Sequence, residues 1–314
     1  MSHKLAFVFP GQASQHVGMG QEIAAAYPEA AQIFDRADKI LGDSLSTLCW
    51  AGPEAALDET YHTQPAVFVA SIACLAALRA AGFTAEPDFV AGHSVGEFAA
   101  YVAAGVLTFE DGLKLVRERG RLMKKAGDQN PGKMAAILTL SDEQVADICA
   151  RVSAETAWVQ VANYNNPGQV VISGEEAGID RAVELAQAAG SRRAQKLPIS
   201  IAAHSRLMAV VSDEFKTAVE QVSLAEARIP IIANITARPL STVEAIQAEM
   251  VGQLTASVHW TQSVQYMLAQ GVTQFVEVGS KNVLCGLIRR IDKNVSAISA
   301  ENVAGINKIL EAQT

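Results

Sequence analysis

The chain has 314 residues, 50% of them hydrophobic and 18% charged, enough to bury a large core in one large or two smaller domains and too apolar for a disordered scaffold. Lys plus Arg number 25 against 33 Asp plus Glu, a net charge of −8 that repels polyphosphate and argues against nucleic-acid binding. Four scattered cysteines (Cys49, Cys74, Cys149, Cys285) form no CxxC pair, so reduced thiols of a cytoplasmic protein are expected, with no disulfide framework and no zinc site.

Residues 5–9 are a short aliphatic and aromatic run closed by Pro10-Gly11, the pattern of a buried strand feeding a loop. The run is too short for a secretory signal and lacks a cleavage site. Residues 21–41 read as one helix with Gly42 just beyond it. The longest apolar stretch, 66–78, is 13 residues long, short of the ~20 that a membrane span needs. It reads as a buried helix over 64–80 ended by Gly82, and no membrane partner is expected. A brief strand at 89–91 precedes an alanine-rich helix from Gly96, and Thr108 caps a further helix over 108–126.

The middle of the chain changes character. A strand at 133–140, a helix at 141–152, strands at 158–164 and 169–173, a helix at 177–189 and an extended piece at 193–200 follow in the order β-α-β-β-α-β. This is the pattern of a ferredoxin-like unit. It defines an inserted small subdomain over 128–204. Residues 1–127 and 205–314 alternate strands and helices as a doubly wound α/β core with a parallel sheet does.

Gly92-His93-Ser94-Val95-Gly96 is a G-x-S-x-G pentapeptide between a strand and a helix. In that context the glycines permit a sharp turn, and the serine stands at a helix N-terminus whose N–H groups favour a developing oxyanion. The plainer reading is a glycine-rich turn whose serine only caps a helix. A hydroxyl nucleophile needs a base. Of six histidines, His3 lies at the terminus, and His93 adjoins Ser94 but projects to the other face of an extended backbone. His204, after the last strand of the insertion, is the favoured base; a structural histidine is the alternative.

On a helical wheel of residues 113–123, Leu115, Val116, Leu122 and Met123 gather on one face with Arg119 in its middle, while Arg117 and Arg121 face solvent. A guanidinium aimed into apolar packing needs an anion. Either a bound carboxylate, held by the planar fork, or an acidic side chain on another helix would serve. The segment from Gly127 to Met134 imitates a phosphate loop, GxxxxGK, but puts Met134 where the magnesium-binding hydroxyl belongs and runs from helix to strand. No cofactor and no metal are implied.

Together these residues resemble the malonyl-CoA:acyl-carrier-protein transacylases of type II fatty acid synthesis and the related acyltransferase domains of polyketide synthases. The likeness runs through Pro10-Gly11-Gln12-Ala13-Ser14-Gln15, Thr63-Gln64-Pro65-Ala66, the GHSVGE segment ending at Glu97, Arg119-Gly120, Asn163 to Gln169, Ala203-His204, Gln253 and Glu277-Val278-Gly279. It implies a hydrolase-like core with a ferredoxin-like insertion. It further implies Ser94 as acylated nucleophile, His204 as general base, and the backbone N–H groups of Gln12 and Val95 as oxyanion hole. Arg119 and Gln253 fall at the substrate site: Arg119 on the malonyl carboxylate, and a backbone carbonyl near Gln253 orienting the histidine in place of an acid. Asn163 and Asn234 are read as loop supports.

The implied reaction is ping-pong transfer of malonyl from malonyl-CoA to the phosphopantetheine thiol of an acyl carrier protein, by a monomer. The carrier is acidic, so a local basic patch is required, at Arg192, Arg193 and Lys196 or at Arg289 and Arg290. Two positions depart from the family: Ala13 stands where glycine is usual, and Ala203 precedes the histidine at a position that tracks acyl selectivity. Rival readings are a serine esterase or thioesterase, and a malonyl-loading transferase for malonate decarboxylase or a polyketide line.

Overall fold

The computed structural model describes residues 4–199 and 201–312, so His3 and the end of the 193–200 extended piece, Ser200, lie outside the described residues. Ten strands run in chain order: β1 (Lys4–Phe9), β2 (Phe89–Gly92), β3 (Lys133–Leu138), β4 (Val159–Asn166), β5 (Gln169–Gly174), β6 (Arg193–Lys196), β7 (Ile231–Ile232), β8 (Pro239–Leu240), β9 (Val272–Glu277) and β10 (Ser296–Ser299). They form a six-stranded sheet ordered β10-β9-β1-β2-β7-β8 and a four-stranded sheet ordered β4-β5-β3-β6.

The first sheet is parallel except for its edge pair β7–β8. Parallel strands covered on both faces read as continuous apolar runs, and β1 is buried from Leu5 to Phe9 for that reason. Leu5, Phe7 and Phe9 pack on one side with the Thr60–Ala80 helix. Ala6 and Val8 pack on the other with Val264, Leu284 and Ile288, from the Trp260–Ala269 and Val283–Ile291 helices. The Thr60–Ala80 helix is longer than the apolar run suggested. By length and composition it could cross a membrane, but 78% of its most apolar window is buried inside the protein. The four cysteines are buried free thiols, and burial pushes Cys49, Cys74 and Cys149 up to about 12, which leaves them inert.

One predicted helix is two. The span 21–41 breaks into Gln21–Ala26 and Pro28–Leu41. Proline disfavours the helical region for the residue before it, and Tyr27 is extended, with φ −128° and ψ 111°. Pro28 then opens the second helix, where its missing N–H costs nothing.

In the second sheet every pairing is antiparallel. The Asp142–Glu155 and Glu176–Ala188 helices pack on one of its faces. Ser141 and Gln144 close a capping box at the first of these helices. Asn165 and Asn166 belong to β4, so the hairpin turn is reduced to Pro167-Gly168, with Gly168 at φ 79°. Strand β6 stops at Lys196, short of the extended piece predicted. The Phe109–Gln129 helix leads into β3, so the connection between the sheets lies within 130–132. Strand β4 is tied back to the core: Val258 N–H donates to Ala162 O at 2.8 Å, and Tyr164 N–H to Val258 O at 2.9 Å.

Candidate active site

Strand β2 ends at Gly92, and the next helix, Gly96–Ala103, begins four residues later. A Cβ on Gly92 would lie 2.1 Å from Glu97 N, and one on Gly96 would lie 2.2 Å from Phe9 O, so both positions exclude any side chain. Between them Ser94 has φ 54°, the left-handed conformation of a strained elbow. The strain is held by Asn234, whose Oδ1 accepts from Ser94 N–H at 2.8 Å while its Nδ2 donates to Gly92 O at 2.7 Å. His93 sits where Nε2 meets Asn165 Oδ1 at 2.9 Å, away from the serine hydroxyl. Its position is not due to opposite projection along extended backbone, as the sequence suggested, because Ser94 is not extended.

Ser94 Oγ lies 2.7 Å from His204 Nε2. On the other side of the ring, Nδ1 faces two acceptors, Gln253 O at 2.8 Å and Ala256 O at 3.2 Å. Carbonyls accept only, so Nδ1 carries the proton and Nε2 is left to accept from the serine O–H. Gln253 caps the C-terminus of the Val243–Gly252 helix. The partial negative charge of that helix end therefore faces the imidazole where many triads place a carboxylate. Burial, and secondarily the Arg119 cation, push His204 down to about 3. The base is neutral at physiological pH.

Arg119 is fully buried. Its Nη1 donates to Gln64 Oε1 at 2.7 Å, and its Nη2 to Gln253 Oε1 at 2.8 Å and to Ser94 Oγ at 3.3 Å. Nε has no partner. Burial draws the guanidinium down to about 10, which leaves it charged at neutral pH. No carboxylate touches it among the described residues. The nearest in the network, Glu97, is one hydrogen bond further on, accepting from Gln253 Nε2, and burial together with Glu249 raises Glu97 well above the usual carboxylate range. The wheel is right for Arg119 and for exposed Arg121. Arg117 departs from it: its side chain is only 13% exposed, stacked 4.0 Å over the Tyr61 ring and paired with Asp43.

A cavity of about 340 Å³ opens over the serine, lined by Gln12, His93, Ser94, His204, Ala203 and Asn163 among others. The 10–12 loop presses against the elbow: a Cβ on Gly11 would lie 2.3 Å from His93 O. No hydrogen bond within the described residues takes up the N–H groups of Gln12 or Val95. Gln253 and Arg119, both expected at the substrate, do not themselves line the cavity: Gln253 supports Arg119 with its side chain and His204 with its carbonyl, and Arg119 reaches the site from behind, through its Nη2 on Ser94 Oγ. The described residues contain no cluster of ligands suited to a metal ion.

Three supporting residues went unassigned in the sequence. Gln64 stood out as a polar residue inside an apolar helix, the same signal as Arg119. Glu97 and Gln160 offered no comparable sign, since they act through contacts 156 and 44 residues away along the chain.

A serine on a strand–elbow–helix turn over a mainly parallel sheet, bonded to a histidine from a later loop, defines the class of α/β proteins with an elbow nucleophile. Within that class the match is specific. The family model for the acyl transferase domain fits residues 6–310, and the chain belongs to this acyl transferase family. It is 39% identical over 299 residues to the malonyl CoA-acyl carrier protein transacylase of Bacillus subtilis, covering 95% of this chain and 94% of that protein. The solved structure of the malonyl CoA-acyl carrier protein transacylase from Coxiella burnetii superposes with TM-score 0.96 at 35% identity, over 99% of this chain and 98% of that one. A malonyl-transacylase solved in complex with a type II polyketide acyl-carrier protein superposes with TM-score 0.95 at 38% identity, over 98% and 99% of the two chains.

Proposed function

We propose that the protein is a malonyl-CoA:acyl-carrier-protein S-malonyltransferase, in which Ser94 carries the malonyl group between two thiols. The observation that carries this reading is the buried Arg119 fork, 3.3 Å from the serine oxygen and touched by no carboxylate among the described residues. A buried cation with only neutral partners is costly unless its site serves an anion, and the free carboxylate of a malonyl thioester is such an anion.

The reaction then follows from the geometry. Ser94 Oγ attacks the thioester carbonyl while its proton passes to His204 Nε2. The N–H groups of Gln12 and Val95 receive the oxyanion. The C–S bond breaks, His204 returns the proton to sulfur, and CoA leaves as a thiol. In the second half the carrier thiol gives its proton to His204, its sulfur attacks the malonyl ester, and the serine oxygen recovers the proton. One thioester is exchanged for another, so no external energy source enters. The Gln253 and Ala256 carbonyls, aided by the helix end, stabilise the imidazolium formed in each half.

The carrier reaches the site from the antiparallel sheet. Arg193, Lys196 and Arg290, from the two basic clusters marked in the sequence, line one groove, which shares Leu197 and Pro198 with the catalytic cavity. Lys196 is already paired with Asp180 at 2.7 Å, so Arg193 and Arg290 are the groups for an acidic partner. As parts of the same reading, the segment expected over 128–204, its start moved to 130–132 because the core helix runs to Gln129, is an inserted small subdomain, and the enzyme works as a monomer in the cytoplasm.

Intact-protein mass spectrometry tests the assignment. Malonyl-CoA should leave one malonyl group on Ser94, and a carrier thiol should discharge it much faster than water does. Rapid hydrolysis without transfer would make the protein a thioesterase.

A further inference from the structure

We propose that Gln160, on strand β4 of the antiparallel sheet, is a positioning residue for the His204 base: it fixes at once the loop that carries the histidine and the loop that supplies the acceptors for its Nδ1. The proposal rests on the reading of Ser94 and His204 given above.

The primary amide of Gln160 uses its whole hydrogen-bonding capacity at this junction. Nε2 donates to His204 O at 3.0 Å and to Thr255 O at 3.2 Å. Oε1 accepts from Arg206 N–H at 3.3 Å and from Trp158 Nε1–H at 3.3 Å. Two donors and two acceptor positions are thus filled by two carbonyls and two N–H groups, and the reversed amide would set like against like at all four contacts.

The residues joined in this way matter to the base. His204 has φ 56°, a left-handed conformation that a non-glycine residue keeps only when its surroundings hold it. Thr255 lies between Gln253 and Ala256, whose carbonyls hold Nδ1. No carboxylate hydrogen-bonds this imidazole among the described residues, so its tautomer and tilt depend on carbonyls carried by a loop. Other bonds tie β4 to the end of that loop, including Ser257 Oγ to Val161 O at 2.6 Å and the Val258–Ala162 pairing. Gln160 is the contact that adds the histidine's own backbone. The antiparallel sheet therefore orients the base as well as walling the cavity.

The test compares Gln160→Met, which keeps the length and apolar stem but loses the amide, with Gln160→Glu, which keeps acceptors but turns a carboxylate toward two carbonyls. Ser94 malonylation is followed by rapid-quench mass spectrometry, with the final adduct stoichiometry counting active molecules. The expected result in both variants is full final stoichiometry with kcat for loading about tenfold lower, about 1.4 kcal/mol of transition-state stabilisation, and KM for malonyl-CoA within about twofold. The Nδ1 proton of His204, followed by ¹H–¹⁵N NMR, should exchange faster in both variants than in wild type. Loading at the wild-type rate with an unchanged Nδ1 proton in either folded variant overturns the proposal, as does a loss confined to the fraction of active molecules. His204→Ala separates the two layers. If it loads as fast as wild type, the reading of the base is wrong; if it fails to load while the Gln160 variants match wild type, only the positioning role is wrong.

Discussion

In the parallel sheet, β1 is buried from Leu5 to Phe9 and β2 along its whole length. In the antiparallel sheet the edge strand β6 leaves three of four residues exposed, and its partner β3 is half-buried at three of its six positions. The first sheet is buried on both faces and carries the strained elbow. The second packs against its own two helices and supplies a cavity wall, the basic groove and the Gln160 brace. The nucleophile is thus set on close-packed parallel strands and held by Asn234, and its base by hydrogen bonds that reach across from the antiparallel sheet and the 253–256 loop.

Glycine substitutions break that comparison most sharply. At Gly96 a methyl group would meet the Phe9 carbonyl at 2.2 Å, so Gly96→Ala should abolish Ser94 loading, a loss above about 10²-fold. At Gly168 the nearest atom to a new Cβ is 3.6 Å away, and only the φ of 79° resists. Gly168→Ala should cost about 1–2 kcal/mol in urea unfolding and leave loading unchanged. Similar losses of loading at both positions would erase the distinction between the sheets.

The next effect is on pH dependence. Because burial and then Arg119 hold His204 near 3, kcat/KM for malonyl loading, which reports the free enzyme, should stay flat as pH falls through the ordinary histidine range. The acid limb appears only far below it, where the imidazole takes up a proton and stops acting as a base. Arg119→Ala removes one of three depressing influences, burial, Arg119 and His93, so the acid limb, followed with acetyl-CoA, should move to higher pH. A limb that stays in place would uncouple the cation from the base.

The smallest effect is at Ala13, whose φ of 84° suits glycine. Ala13→Gly should raise unfolding stability by about 1 kcal/mol. A loss would mean that the alanine methyl packs usefully against the oxyanion loop.

Local signals were legible in the sequence wherever one residue's environment followed from its neighbours. The elbow was written in two glycines, and Arg119 in its place on an apolar helix face. The split at Tyr27–Pro28 was also local, but there periodicity was allowed to outweigh proline. His204 was marked by position and family likeness rather than by any pattern. Asn234 was read only as a loop support, and Glu97 and Gln160 could not be read, because their roles arise from contacts across 156 and 44 residues that exist only after the sheets assemble.

The account turns on what the Arg119 fork selects. The direct measurement is the ratio of malonyl to acetyl loading on Ser94 in wild type and in Arg119→Ala, by intact mass at matched acyl-CoA concentrations. Loss of the charge-assisted bonds should lower that ratio by about 10–100-fold, mostly through malonyl loading. An unchanged ratio, with both acyl groups slowed alike, would contradict the carboxylate role and the substrate that rests on it.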